Sequence, residues 1–250
     1  MERAIGERAV DAMLDVAAWA GHQGCIRVQV DYAQVYAARN QAVLMFEQPK
    51  PEGMPANSPD DYLVMLDSDH THPYDVLGRL TRYNLPVVAA LCFRRSEPHD
   101  PLLFNADAKG TLKRIDEPTG QLMRVDAVGF GAVAIQRRVF DRLRECGIKP
   151  PWFYPDKRLD SQVWCFGEDL VFCEACKQAG IPVHCDTGFV SPHLYDTETH
   201  GQEWPATLRE LRKVGKDNPP LQPLQLQPGG FRPDFSQAME QFFQKPGGNL

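Results

Sequence analysis

Tyr62-Leu63-Val64-Met65-Leu66-Asp67-Ser68-Asp69-His70 passes without a break from a largely apolar run into two carboxylates separated by one serine. The apolar run reads as a buried strand. Unpaired carboxylates inside such a strand would cost too much to desolvate, so the strand must end at Asp67. Asp67 and Asp69 are therefore expected at the carboxyl edge of a sheet, where open α/β sheets bind their ligands. Two hard oxygen donors at such an edge suit Mg²⁺ or Mn²⁺ shared with a phosphate.

Working outward, Pro86 to Phe93 is a second continuous apolar run and reads as another buried strand. Between the two, Pro73 suits a helix start, with Val76, Leu77 and Leu80 as the apolar face. Leu102 to Ile115 has the pattern of a hairpin turning at Lys109-Gly110. Val125 to Ile135 reads as one further strand, followed by a helix from Arg137 that Gly147 ends. Trp152 to Phe166 mixes aromatics and charges without a period and reads as a loop. Glu168 to Ala179 is expected to be helical with Gly180 at its end, and Pro182 to Asp186 a short strand.

Upstream, Glu2 to Ala20 places Ile5, Ala9, Val10, Met13, Leu14 and Ala17 on one helical face. Cys25 to Val30 alternates as a half-buried strand should, and a second helix over Tyr36 to Phe46 carries Arg39-Asn40. Pro49 to Asp61 is a loop. Downstream, a last helix over Ala206 to Val214 precedes a Pro-, Gln- and Gly-rich tail. The alternation of strands and helices predicts one α/β domain over 1–216 and a tail over 217–250.

Composition narrows the function classes. At 250 residues the chain can bury a sizeable core, and 43% hydrophobic with 24% charged residues is ordinary for a globular protein. A net charge of −6 argues against a general nucleic-acid binder. No apolar run approaches a membrane span, and Met1-Glu2-Arg3-Ala4 does not start a signal peptide. Seven scattered cysteines fit a reducing compartment, so a cytoplasmic location is expected. Cys173-x-x-Cys176, with Cys165, His184 and Cys185, invites a zinc site. On a helix, however, the first pair are neighbours three apart with no second such pair, and buried thiols are the better account.

Four stretches then fall in a telling order. They are Ala38-Arg39-Asn40, Leu66-Asp67-Ser68-Asp69-His70, Val128-Gly129-Phe130-Gly131-Ala132 with Arg137-Arg138-Val139-Phe140, and Gly167-Glu168-Asp169-Leu170-Val171-Phe172 with Ala179-Gly180. His193 follows. In order and spacing this resembles the family 2 glycosyltransferases with the GT-A fold, over about Arg39 to His193. The resemblance implies a Rossmann-like, mixed and mostly parallel sheet flanked by helices. It implies a hexosyltransferase-type enzyme that takes a sugar from a UDP- or GDP-linked donor to an acceptor hydroxyl.

By resemblance, Asp69 and His193 ligate Mn²⁺ or Mg²⁺, and Asp67 addresses the ribose or a metal-bound water. Asp169 is the implied base for an inverting reaction and Glu168 orients the acceptor. Arg39 is expected at the phosphates with Asn40 nearby. Ser68 lies within the carboxylate motif, and Gly129 and Gly131 would let the ligand approach the backbone. Trp164, like Trp152 and Phe153, is a candidate to stack on a sugar face. The family opens with a strand ahead of its first helix; this chain starts at that helix, so the first strand is expected to be missing.

Plainer readings stand beside each of these. Two carboxylates after a strand can be caps, Glu168-Asp169 suits any helix start, and Trp152 and Phe153 can be core. A haloacid dehalogenase-type phosphatase, with Asp67 as nucleophile and Asp69 as acid/base, also fits Met65 to Thr71. A non-catalytic nucleotide- or sugar-binding domain is the third reading.

Overall fold

The computed structural model of the chain describes residues 14–18, 20, 21, 25, 34–50, 53, 56–95, 99–155, 167–195 and 198–200. In chain order its elements are α1 (Val35–Glu47), β1 (Tyr62–Leu66), α2 (Val76–Thr81), β2 (Val87–Leu91), β3 (Leu103–Ala106), β4 (Leu112–Arg114) and β5 (Leu122–Val125). β6 (Ala127–Val128), β7 (Ala132–Gln136), α3 (Arg137–Glu145), α4 (Glu168–Gln178), β8 (Val183–Val190), β9 (His193–Tyr195) and β10 (Glu198–His200) complete them. The expected strand Cys25 to Val30, the helix Ala206 to Val214 and the tail lie outside the described residues, apart from Cys25 itself.

The main sheet runs β1-β7-β2-β8-β5. Its α/β character and mixed sense are as expected, but among the described residues its pairing is not mostly parallel. Among the described strands β2 and β8 alone pair in parallel; β7 pairs antiparallel with both β1 and β2, and β5 antiparallel with β8. β7 has inserted between two strands that α2 would otherwise join as parallel neighbours. β4-β3-β6 form a smaller antiparallel sheet, whose hairpin turns through Gly110 at φ +79°.

Period-two alternation divides the core. Val87, Ala89 and Leu91 of β2 and Val133 and Ile135 of β7 face one side, against Val43 of α1, Val139, Phe140 and Leu143 of α3, and Val171 and Phe172 of α4. Val88, Ala90, Ala132 and Ala134 face the other, against Val76 and Leu80 of α2 and Val16. Every residue of β2 and β7 is buried, as two covered faces require.

Other expectations shift. β1 ends at Leu66 as read, but only Met65 is fully buried in it, because among the described residues β1 pairs on one side only, with β7. Residues 14–18, 20 and 21 are helical, yet Val16 and Ala20 face inward while Leu14 is exposed. The single strand expected over Val125 to Ile135 is three: β5, β6 and β7 pair with β8, with β3, and with β1 and β2 respectively. Pro182 to Asp186 belongs to a longer strand, β8, whose register against β2 jumps between Ala90 and Leu91. Cys173 and Cys176 are buried free thiols on α4, in keeping with the plainer reading.

Candidate functional site

The chain leaves β1 at Leu66, and the next residues are pinned on both flanks. Asp67 N–H donates to the Gly131 carbonyl at 2.9 Å, and Thr71 N–H to the Pro192 carbonyl at 2.9 Å. His70 and His193 form an antiparallel bridge, which brings Asp69 to the segment that follows β8. His193 Nε2 lies 3.2 Å from Asp69 Oδ2, His70 Nδ1 3.1 Å from Asp69 Oδ1, and Arg95 Nη2 2.6 Å from Oδ2. Burial acts to raise the Asp69 pKa, but the hydrogen bonds to His193 and His70 outweigh it and hold the carboxyl well below the usual range.

Asp67 belongs to a second, more enclosed cluster. Arg39 Nη2 lies 3.0 Å from each Asp67 carboxylate oxygen and donates to the Phe130 carbonyl at 2.8 Å, while Nη1 lies 3.0 Å from Glu168 Oε1. The guanidinium therefore ties the end of β1 to the start of α4. Glu168 and Asp169 occupy the first turn of that helix, where the dipole favours negative charge. Asp169 accepts the Leu170 N–H at 2.8 Å. Burial raises both carboxyls; Asp169 raises Glu168 further, Asp67 acts in the same direction on each, and Arg39 opposes.

The break between β6 and β7 now has a physical account. Phe130 turns its carbonyl to the Arg39 guanidinium and out of strand pairing, while Gly131 accepts from Asp67 N–H in continuation of the β1–β7 register. Gly129 packs where a Cβ would stand 2.8 Å from that of Leu102, and Gly131 where a Cβ would stand 2.6 Å from His70 Nε2. The close approach both glycines permit is to the protein's own side chains.

Asn40 is displaced from its expected place at the phosphates. Its amide donates to the Tyr36 and Phe153 carbonyls at 2.8 and 2.6 Å, and its oxygen accepts from the N–H groups of Trp152 and Phe153 at 2.9 and 3.1 Å. That spends its hydrogen-bonding capacity on holding the segment after α3 against α1. Trp152 and Phe153 are buried in the core, not offered to a ligand. Ser68 is exposed, and Trp164 lies outside the described residues.

Three residues of the site escaped the sequence reading: His70, His72 and Arg95. The signal for Arg95 was readable, since Arg94-Arg95 follows the buried run Pro86 to Phe93 as Asp67 follows its own. His72 is buried; its Nε2 lies 2.9 Å from the Asp67 carbonyl and its Nδ1 3.0 Å from Ser191 Oγ. With the carbonyl able only to accept, Nε2–H donates and the serine hydroxyl donates to Nδ1.

Burial drives the His72 pKa down to about 4, against the hydrogen bond to Asp67. An unfolded histidine takes up a proton below about pH 6.5, so the unfolded chain binds more protons between that value and about 4, and stability falls as pH falls. Between pH 6.5 and 5 the expected loss is about 2 kcal/mol. Urea denaturation across that window measures it, and His72→Gln should flatten the slope; an unchanged slope would refute the assignment.

Fold and site together define a mixed α/β protein with an acid–imidazole cluster at one end of its main sheet. No family model matches the chain, and no curated protein matches it. Among solved structures it is similar to A197 from STIV, at 16% identity and a TM-score of 0.46, covering 74% of this chain and 80% of that one. So low a score carries no argument about function. Among the described residues no helix is long and apolar enough to cross a membrane.

Proposed function

We propose that the chain is a metal-dependent glycosyltransferase of the GT-A type, moving a sugar from a UDP- or GDP-linked donor to an acceptor hydroxyl. One observation carries the reading. Asp69 and His193, 124 residues apart in sequence, meet at 3.2 Å beside Asp67, which Arg39 links to Glu168. The carboxylate and imidazole are donors that suit Mn²⁺, and Mg²⁺ through the carboxylate, so the residues fit an ion shared with a diphosphate. When bound, such an ion neutralises the charge that develops on the diphosphate leaving group.

The remaining work falls to the chain. Asp169 accepts the proton of the acceptor hydroxyl, Glu168 orients the acceptor, and Arg39 holds Asp67 and Glu168 in a fixed relation. The phosphatase alternative needs a carboxylate oxygen of Asp67 free to attack. Arg39 lies 3.0 Å from both of those oxygens, a contact that bears equally on the ribose role expected of Asp67, so nucleotide binding is what separates the two readings.

Asp69→Ala should abolish metal-dependent nucleotide binding while leaving the fold intact. Calorimetric titration with UDP, GDP and their sugars, in Mn²⁺ and in EDTA, reads this directly. A variant that binds and turns over like the parent would sink the proposal. Hydrolysis of a generic phosphate ester, without nucleotide binding, would move the assignment to the phosphatase. Metal-dependent binding with no transfer to any acceptor would mark a binding domain.

A further inference from the structure

Two arginines face the two carboxylates that follow β1, and the chain holds them differently. Arg39 is buried and meets both oxygens of Asp67, the Phe130 carbonyl and Glu168. Arg95 meets Asp69 through one nitrogen, Nη2, at 2.6 Å from Oδ2, with 34% of its own side chain and 41% of the Asp69 side chain exposed. A partly exposed ion pair with a single contact adds little to stability, so it is readily exchanged for another partner. Asp69 does not depend on it. His70 Nδ1 lies 3.1 Å from Oδ1, and the backbone bridge between His70 and His193 fixes the segment that carries Asp69.

The backbone fixes the root of Arg95 and leaves its head free to turn. Phe93 bridges Pro101, Arg94 N–H donates to the Asp100 carbonyl at 2.9 Å, and the Arg94 carbonyl lies 3.2 Å from His99 Nδ1. Arg95 is the first residue past these ties, on a long unbranched side chain. Its planar fork matches phosphate oxygens two at a time. The other half of the argument is charge. An ion shared by Asp69 Oδ2 and His193 Nε2, which lie 3.2 Å apart, sets two positive charges beside a guanidinium on the same oxygen. At contact distance the two cations repel, and the arginine is the one that can leave.

We propose that Arg95 is an exchangeable counter-ion of the site: it occupies Asp69 Oδ2 when no ion is bound, gives up that oxygen to the dication, and then binds the diphosphate that the ion carries. This rests on the metal reading of the proposed function. The exchange keeps the Asp69 charge compensated in both states, first by a guanidinium and then by the ion. It also couples the two ligands. The ion frees the arginine for the phosphates, and the phosphates draw off the arginine that competes with the ion, so each favours the other by the same factor. Arg39, locked between Asp67 and Glu168, has no such freedom.

The test titrates the full chain, stripped with chelator, first with Mn²⁺ alone and then with UDP and GDP at saturating Mn²⁺. Without nucleotide, Arg95→Met should bind Mn²⁺ about two- to fivefold more tightly than the parent, the equivalent of one exposed ion pair removed. With Mn²⁺ saturating, the same variant should bind the nucleotide the parent prefers about tenfold or more weakly, the loss of a charged hydrogen bond to phosphate. A general loosening of the site would weaken both ligands; opposite signs are specific to the exchange. Arg95→Gln should shift both affinities in the same directions and carries the test if the methionine variant does not fold. Equal Mn²⁺ affinity in parent and variants would overturn the exchange and leave the metal reading in place. Nucleotide affinity that does not fall, or a parent that binds Mn²⁺ but neither nucleotide, would overturn the diphosphate role. No Mn²⁺ binding by the parent or by either variant would overturn the metal reading and the inference with it.

Discussion

Arg39→Met is expected to destabilise the chain by about 3–5 kcal/mol at neutral pH, the range for removing one partner of a buried ion pair. Arg39 is 5% exposed, and its guanidinium is the cation that faces both Asp67 and Glu168, with Asp169 beside them. Methionine fills much of the same volume, so the loss reports charge more than cavity. The pH dependence separates the two. Burial already raises Glu168 and Asp169, and Arg39 opposes that rise; without it both move further up. The folded variant then holds more protons than the unfolded chain above the ordinary carboxyl pKa, and its stability falls as pH rises.

The deficit relative to the parent, measured by urea denaturation at each pH so that His72 cancels, should therefore shrink from pH 7 to pH 5. Glu168→Gln in the same chain should restore part of it. A deficit below about 1 kcal/mol, or one equal at both pH values, would show that Arg39 is not the counter-charge of this cluster.

How far the sequence reaches depends on the range of the interaction being read. Local signals held: the end of β1 at Leu66, the turn through Gly110, the start of α4 at Glu168 and its stop before Gly180 are each written in a few adjacent residues. Pairing partners are not local. Nothing in Val125 to Ile135 announces that β5, β6 and β7 take three different sets of partners, or that Phe130 spends its carbonyl on Arg39 between the last two. Arg39-Asn40 shows the same limit inside a dipeptide. Both residues were legible as important, but only the fold reveals that Arg39 turns to carboxylates and Asn40 to the backbone of Trp152 and Phe153. His70 was in plain view beside Asp69. What hid it is that its neighbours, Gly131 and His193, come from distant segments.

Asp169→Asn should lower transfer about 100- to 10,000-fold while leaving metal-dependent nucleotide binding unchanged, because a general base contributes that much to rate and nothing to donor affinity. The position suits the role. Asp169 opens α4 next to Glu168, which Arg39 joins to Asp67, so a base on this turn stands one arginine away from the residues proposed to face the donor. A base must be ionised before it can accept a proton. Burial pushes the Asp169 carboxyl up, with Arg39 holding it back, so the acid limb of the parent's rate profile should lie above the ordinary aspartate value of about 3.9. Activity is lost as pH falls through that raised value and is full above it. Asparagine keeps the shape of the side chain and cannot titrate, so the residual activity of the variant should lose this limb. If Asp169→Asn turned over at the parental rate, or kept the same acid limb, the base would have to be sought elsewhere, with Glu168, on the same helix turn and also raised by burial, as the first substitution to make.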